Sequence, residues 1–158
     1  MTRGDKAKKF FLQGYNSAQS VVLAFSDMID ADTKTLAMLS QPFGVGTRGL
    51  KENCGAVSGM WIVMGALFGG SEPHNPKKIN ELYARMNTLS LKFEQDNKSL
   101  ICRELVGLTP IGGPKGLIGG KPIQAKEKKR PCPDLCKYAA DILEEYVNAH
   151  KNDIVYVA

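Results

Sequence analysis

The chain has 158 residues, four cysteines and a formal net charge of +5, one ordinary domain's worth of length and enough to bury a sizeable core without staples. With 43% hydrophobic and 23% charged residues it is neither a disordered charged tail nor a disulfide miniprotein, in which cysteine would be several-fold denser. The charge is concentrated in two places: residues 1–10 carry +3, residues 115–130 carry +5, and the remainder sums to −3.

Apolar residues at Phe11, Tyr15, Ala18, Val22 and Phe25 recur at helical spacing and predict one amphipathic helix over about residues 4–27, with Gly14 as a point of bending. The amino terminus is basic, but the residues behind it are too short and polar for a secretory signal, so the protein is expected in the cytoplasm. Asp30 or Asp32 can cap a short second helix through Leu36, Met38 and Leu39, which stops before Pro42 because the residue preceding a proline is pushed out of the helical region. A glycine-rich loop follows from Phe43 to Glu52.

From Asn53 to Ser71 there are nineteen residues without a charge, close to the length of a bilayer span. Five glycines, Cys54 and Ser58 dilute the apolar content, which favours the central helix of a bundle over a membrane span. This third helix is expected to start at a capping Asn53 and run out at Gly69-Gly70, with Gly55 and Gly59 letting a neighbouring helix approach closely. Ile79, Leu82, Tyr83, Met86, Leu89 and Phe93 form the stripe of a long fourth helix opening after Pro76. A short fifth helix covers Leu100 to Val106. Residues 107–131 hold six glycines and four prolines with no periodicity, a long loop or insertion. A last helix runs from about Pro133 to His150, and Ile154–Val157 is a β-prone tail. The expected fold is all-α, a single domain over 1–158 built as a bundle of five to six helices.

Gly44-Val45-Gly46-Thr47-Arg48-Gly49 matches G-x-G-x-x-G, but a dinucleotide site needs a strand before it and a helix opening at it, and neither is present. Gly113–Lys121 fails as a phosphate loop because Lys115 and Pro122 stand at required glycine and hydroxyl positions. The lysines between Lys115 and Arg130 have no interleaved aromatic to stack a base. No nucleic-acid partner is therefore expected. His74 and His150, the two histidines, lie at no ligand spacing from a cysteine and read as surface residues.

The cysteines carry more. In a reducing compartment Cys54, Cys102, Cys132 and Cys136 are likelier redox or metal-binding residues than staples. Cys54 opens the third helix and Cys132, between Pro131 and Pro133, opens the last, where free N–H groups and the helix dipole favour thiolate. At least one thiol is then expected to titrate below the free value. Cys136 lies one turn beyond Cys132; β-carbons four apart on a regular helix are about 5–6 Å apart and a disulfide needs about 3.5–4.5 Å, so that pair would require a distorted first turn, and Cys102 and Cys136 read equally well as small buried hydrophobes on apolar faces. As thiols, Cys54, Cys102, Cys132 and Cys136 would alternatively hold an iron–sulfur cluster or another metal. A non-catalytic helical binding protein is the third reading.

Gly14-Tyr15-Asn16-Ser17-Ala18-Gln19, then Cys54-Gly55-Ala56-Val57-Ser58-Gly59, then Cys102-Arg103-Glu104-Leu105, then Cys132 before a final helix, together resemble the C-GCAxxG-C-C family over nearly the whole chain. The resemblance implies a small helical protein of bacteria or archaea doing redox work through its cysteines, with a redox partner protein or small thiol. Carried over residue by residue, Cys54, Cys102 and Cys132 match the second, third and fourth family cysteines. The first falls on Ser17, which cannot form a disulfide and is a poor ligand for soft metals. Either part of the chemistry is lost, or Cys136 restores the count from another place, or the serine was introduced. Oligomeric state is left open.

Overall fold

In the computed structural model, residues 1–108, 117–118, 121–122 and 131–155 are described. They form seven α-helices: α1 (Arg3–Leu12), α2 (Ser17–Leu23), α3 (Thr33–Ser40), α4 (Gly55–Phe68), α5 (Pro76–Asn97), α6 (Cys102–Leu105) and α7 (Cys132–Ala149). The all-α bundle is as expected. Leu117–Ile118 and Lys121–Pro122 add a two-residue antiparallel ladder. The rest of the glycine- and proline-rich segment lies outside the described residues, as do residues 156–158 of the tail.

The single helix expected over 4–27 is two. Gly14 sits at φ 103°, a left-handed conformation that glycine adopts without penalty. Asn16 then starts α2 with a capping box: its side chain accepts from the Gln19 N–H while the Gln19 side chain accepts from the Asn16 N–H. Thr2 and Asp5 do the same for α1. These reciprocal caps satisfy free N–H groups at both helix starts, so a break costs less than the apolar period suggests. Asp32, not Asp30, caps α3. The uncharged helix begins at Gly55 rather than Asn53. Asn53 instead forms a β-bridge with Ile101, and its side-chain amide donates to Ser58 Oγ at 2.9 Å. Asn75 caps α5, whose Pro76 occupies a position where no backbone donor is needed.

The two central helices are α2 and α4. Every residue of α2 from Ala18 to Leu23 is buried, and α4 buries Val57, Met60, Val63, Met64 and Leu67. They meet at the glycines: a β-carbon at Gly59 would lie 2.7 Å from the Ala18 carbonyl oxygen and 3.0 Å from Val21 Cβ. One at Gly55 would lie 3.1 Å from Ser17 Cβ. Only residues without side chains let the two backbones come this close. α7 closes the core with Leu135, Cys136, Ala139, Leu143 and Val147, and α5 contributes Leu89 and Phe93. Burial of each large apolar side chain contributes about 1.5–3 kcal/mol. No helix among the described residues is long and apolar enough to cross a membrane.

Candidate functional site

Three chain segments converge at one end of the bundle. The first is the amino end of α2, which starts at Ser17. The second is the loop from Gly44 to Asn53, tied to residues 100–103 by antiparallel hydrogen bonds: Cys54 N–H to the Leu100 carbonyl (2.8 Å), Cys102 N–H to Glu52 (2.6 Å) and Arg103 N–H to Lys51 (3.1 Å). This pairing brings Cys54 and Cys102 together across 48 positions of sequence. The third is the amino end of α7, with Cys132 as its first residue.

The loop has an unusual backbone. Val45, Gly46, Thr47, Arg48 and Gly49 follow one another at φ 52°, 71°, 66°, 54° and 71°, and Lys51 is at 54°. A left-handed conformation costs a non-glycine residue roughly 1–2 kcal/mol, and for β-branched Val45 and Thr47 it is rare. Long-reach hydrogen bonds hold it, among them Arg48 N–H to Pro42 (2.9 Å), Lys51 N–H to Val45 (3.0 Å) and Glu52 N–H to Gly46 (2.8 Å). Gly46 is required on steric grounds too, since a β-carbon there would lie 2.7 Å from Cys102 Cβ. The G-x-G-x-x-G pattern therefore serves a tight wall beside a cysteine, and α3 and a 3-10 turn precede it rather than a strand.

Between these segments lies a cavity of about 330 Å³. Ser17, Cys54, Cys102 and Cys132 all line it, with Phe11, Tyr15, Val45, Leu105, Val106 and Leu135 as apolar walls and Lys51 as its charged member. Larger grooves near Met38 (about 480 Å³) and near Asp27 (about 460 Å³) contain no cysteine or histidine. Cys136 is not on the cavity surface. It is fully buried one layer behind, with its Sγ 3.9 Å from the Ser17 carbonyl oxygen.

All four thiols are free, and they differ in exposure. Cys54, Cys102 and Cys136 are buried, whereas Cys132 is half-buried. Burial pushes the Cys54 thiol up from 9.0 to about 12, against the opposing pull of the Val57 and Ala56 N–H groups, and neighbouring Cys102 and Cys132 push the same way. This corrects the thiolate expected at the start of the uncharged helix: desolvation of the charge outweighs the helix terminus. Burial also raises Cys102, partly offset by the positive charges of Lys51 and Arg103. Cys136 is raised by burial as well, with the Ser17 contact opposing and Cys54 and Cys132 adding to the rise.

Among the described residues no three His, Cys, Asp or Glu side chains are arranged to hold a metal ion. His74 is exposed, as expected. His150 is not a simple surface residue: its ring stacks on Tyr146 with centroids 4.1 Å apart and its Nδ1 lies 2.8 Å from the Tyr146 carbonyl oxygen. Lys51 is a cavity residue that the sequence did not single out, and Phe11 and Tyr15, read there as the apolar face of a helix, line the cavity as well.

Fold and site together define a class, a small helical bundle that draws thiols from separate chain segments to one apolar cavity. The family described as "Putative redox-active protein (C_GCAxxG_C_C)" matches residues 15–146, and the chain belongs to that family. The residues that the resemblance carried over, Ser17 at the first family cysteine and Cys54, Cys102 and Cys132 at the other three, all line the cavity. Among curated proteins and among solved structures, none matches the chain.

Proposed function

We propose that the protein carries out thiol–disulfide exchange at this cavity, with Cys132 as the attacking thiol, Cys54 as the resolving thiol and Cys102 as a third thiol beside them. The observation that carries the reading is the convergence of Cys54, Cys102 and Cys132, from three separate segments, on one apolar cavity of about 330 Å³. Cys132 takes the first step because it is the half-buried one, while Cys54 and Cys102 are buried and access limits attack on an external disulfide.

In the forward direction the Cys132 thiolate attacks a disulfide RSSR. The S–S bond breaks, a Cys132–S–S–R bond forms, and RS⁻ leaves and takes up a proton. Cys54 loses its proton and attacks Cys132 Sγ, so a Cys54–Cys132 disulfide forms and the second RSH departs. One disulfide is reduced to two thiols and two protein thiols are oxidised. A redox partner protein or small thiol, by the reverse exchange, restores the reduced state.

The test uses the full reduced chain and hydroxyethyl disulfide, with released thiol and intact mass as readouts. Two thiols released per protein and a loss of two protein thiols are expected. Cys132→Ser should abolish release, and Cys54→Ser should trap an adduct on Cys132. Undiminished release by Cys132→Ser, or no release by the parent protein, overturns the reading.

A further inference from the structure

Ser17 lines the cavity at the position where the family pattern has its first cysteine, and directly behind it stands a thiol that the pattern does not contain. Cys136 Sγ lies 3.9 Å from the Ser17 carbonyl oxygen, on the second turn of α7. Ser17 in turn packs against Gly55, whose β-carbon position is 3.1 Å from Ser17 Cβ, and Gly55 is the residue after Cys54. Cys136 and Cys54 are both members of the buried core, each feels the other's cavity neighbour Cys132, and Cys54 acts electrostatically on Cys136. The sulfur lies beside a main-chain oxygen at the starting turn of α2, the turn whose Ser17 lines the cavity.

We infer that Cys136 is the fourth thiol of the site, taking the place of the cysteine absent at Ser17, and that it accepts the disulfide from Cys132 by pairing with Cys54. We assign the pairing partner by elimination. Cys132 and Cys136 are four apart on a regular helix, with β-carbons about 5–6 Å apart, whereas a disulfide needs about 3.5–4.5 Å. Cys102 stands in the loop wall of the cavity, against Gly46. Cys54 is the cavity thiol next to the Ser17 layer. The step balances as follows: once a Cys54–Cys132 disulfide exists, Cys136 loses its proton and attacks Cys54 Sγ. The Cys54–Cys132 bond breaks, a Cys54–Cys136 bond forms, and Cys132 leaves as thiolate and is protonated. Oxidising equivalents move into the core, and the half-buried thiol is returned ready for another disulfide.

This inference rests on the exchange reading above, and the experiment separates the two. The reduced full chain is treated with one equivalent of hydroxyethyl disulfide, quenched in acid, alkylated under denaturing conditions, digested and mapped by mass spectrometry. The expected product is a peptide pair linked through Cys54 and Cys136, with Cys132 alkylated. Two released thiols with a linkage between Cys54 and Cys132 or Cys102, and Cys136 fully alkylated, uphold exchange and overturn the role of Cys136. No released thiol overturns both. A second variant guards against misfolding: Cys136→Ala should stop the reaction at the Cys54–Cys132 disulfide. Adding Ser17→Cys in that background should restore a disulfide that frees Cys132. If the double variant still keeps Cys132 oxidised, position 17 is not the place that Cys136 replaces.

Discussion

The two ends of this bundle are built by opposite rules. At the carboxyl end of α7, polar groups are paired and the left-handed backbone is limited, among the described residues, to His74 in the turn beside Val155. Arg85 donates to Tyr146 Oη at 3.0 Å and to Asp153 at 3.1 Å, and its guanidinium lies 4.7 Å over the Phe68 ring. Phe68 meets Tyr146 edge-on at 5.8 Å, and the Val155 N–H donates to Leu67. From residue 141 to 155 no residue has a positive φ. At the cysteine end, buried thiols surround a cavity, four non-glycine residues of one loop hold left-handed dihedrals, and buried Arg103 Nε has no hydrogen-bond partner among the described residues. Proteins keep such strain only where the surroundings over-determine it, and it clusters at functional sites. The contrast fits the proposed division of labour, stability at one end and thiol exchange at the other.

The largest expected effect tests the stability end. Phe68→Ala removes a ring that is buried and touched by Tyr146 and Arg85, and such truncations cost about 3–5 kcal/mol. Urea unfolding should show that loss, while thiol release per folded molecule stays at the parent value. A fall in exchange beyond the unfolded fraction would show that the ends are coupled.

Next is the joint between them. Gly59→Ala places a methyl against the Ala18 carbonyl and Val21, and overpacking of this kind costs about 1–3 kcal/mol. On the same helix Gly65 has nothing within 4 Å of its β-carbon position, so Gly65→Ala should stabilise by up to about 1 kcal/mol through helix propensity. Denaturant midpoints moving in opposite directions check this pair.

A third measurement follows from the thiols. An unfolded Cys54 loses its proton near 9.0 and the folded one only near 12, so between these values the native state binds more protons and stability falls as pH rises. The effect is about 1 kcal/mol at one pH unit above 9 and is absent below it; Cys102 and Cys136 act in the same direction. Unfolding free energies recorded from pH 8 to 11 should decline accordingly, and a flat profile would mean that Cys54 is solvated.

How much of this was legible beforehand depended on the range of the forces involved. The helices of α4, α5 and α7 follow from period, proline and glycine, and the close approach at Gly55 and Gly59 follows from residue size. The break before α2 was also written locally, in Asn16 and Gln19, but the apolar period running from Phe11 to Phe25 masked it. Burial of Cys54 was not legible, because a helix-terminal thiol and a desolvated one have the same neighbours in sequence and opposite titration. The Cys136–Ser17 contact spans 119 positions, and no local pattern encodes it. The left-handed loop runs against local preference, since Val45 and Thr47 favour extended backbone.

That loop supplies the smallest and sharpest test. If Val45 is held left-handed by its surroundings, Val45→Gly removes a penalty of roughly 1–2 kcal/mol and adds back roughly 0.5–1 kcal/mol of lost backbone freedom. Val45 is half exposed at 52%, so little packing is lost with it. The net expectation is a gain of about 0.5–1 kcal/mol in urea, together with faster alkylation of Cys102, whose side chain packs against the neighbouring Gly46. A stabilised protein with a looser thiol wall would mean that the loop spends stability to confine the cavity. A destabilised one would mean that this end is relaxed like the other, and the contrast between them would rest on the cysteines alone.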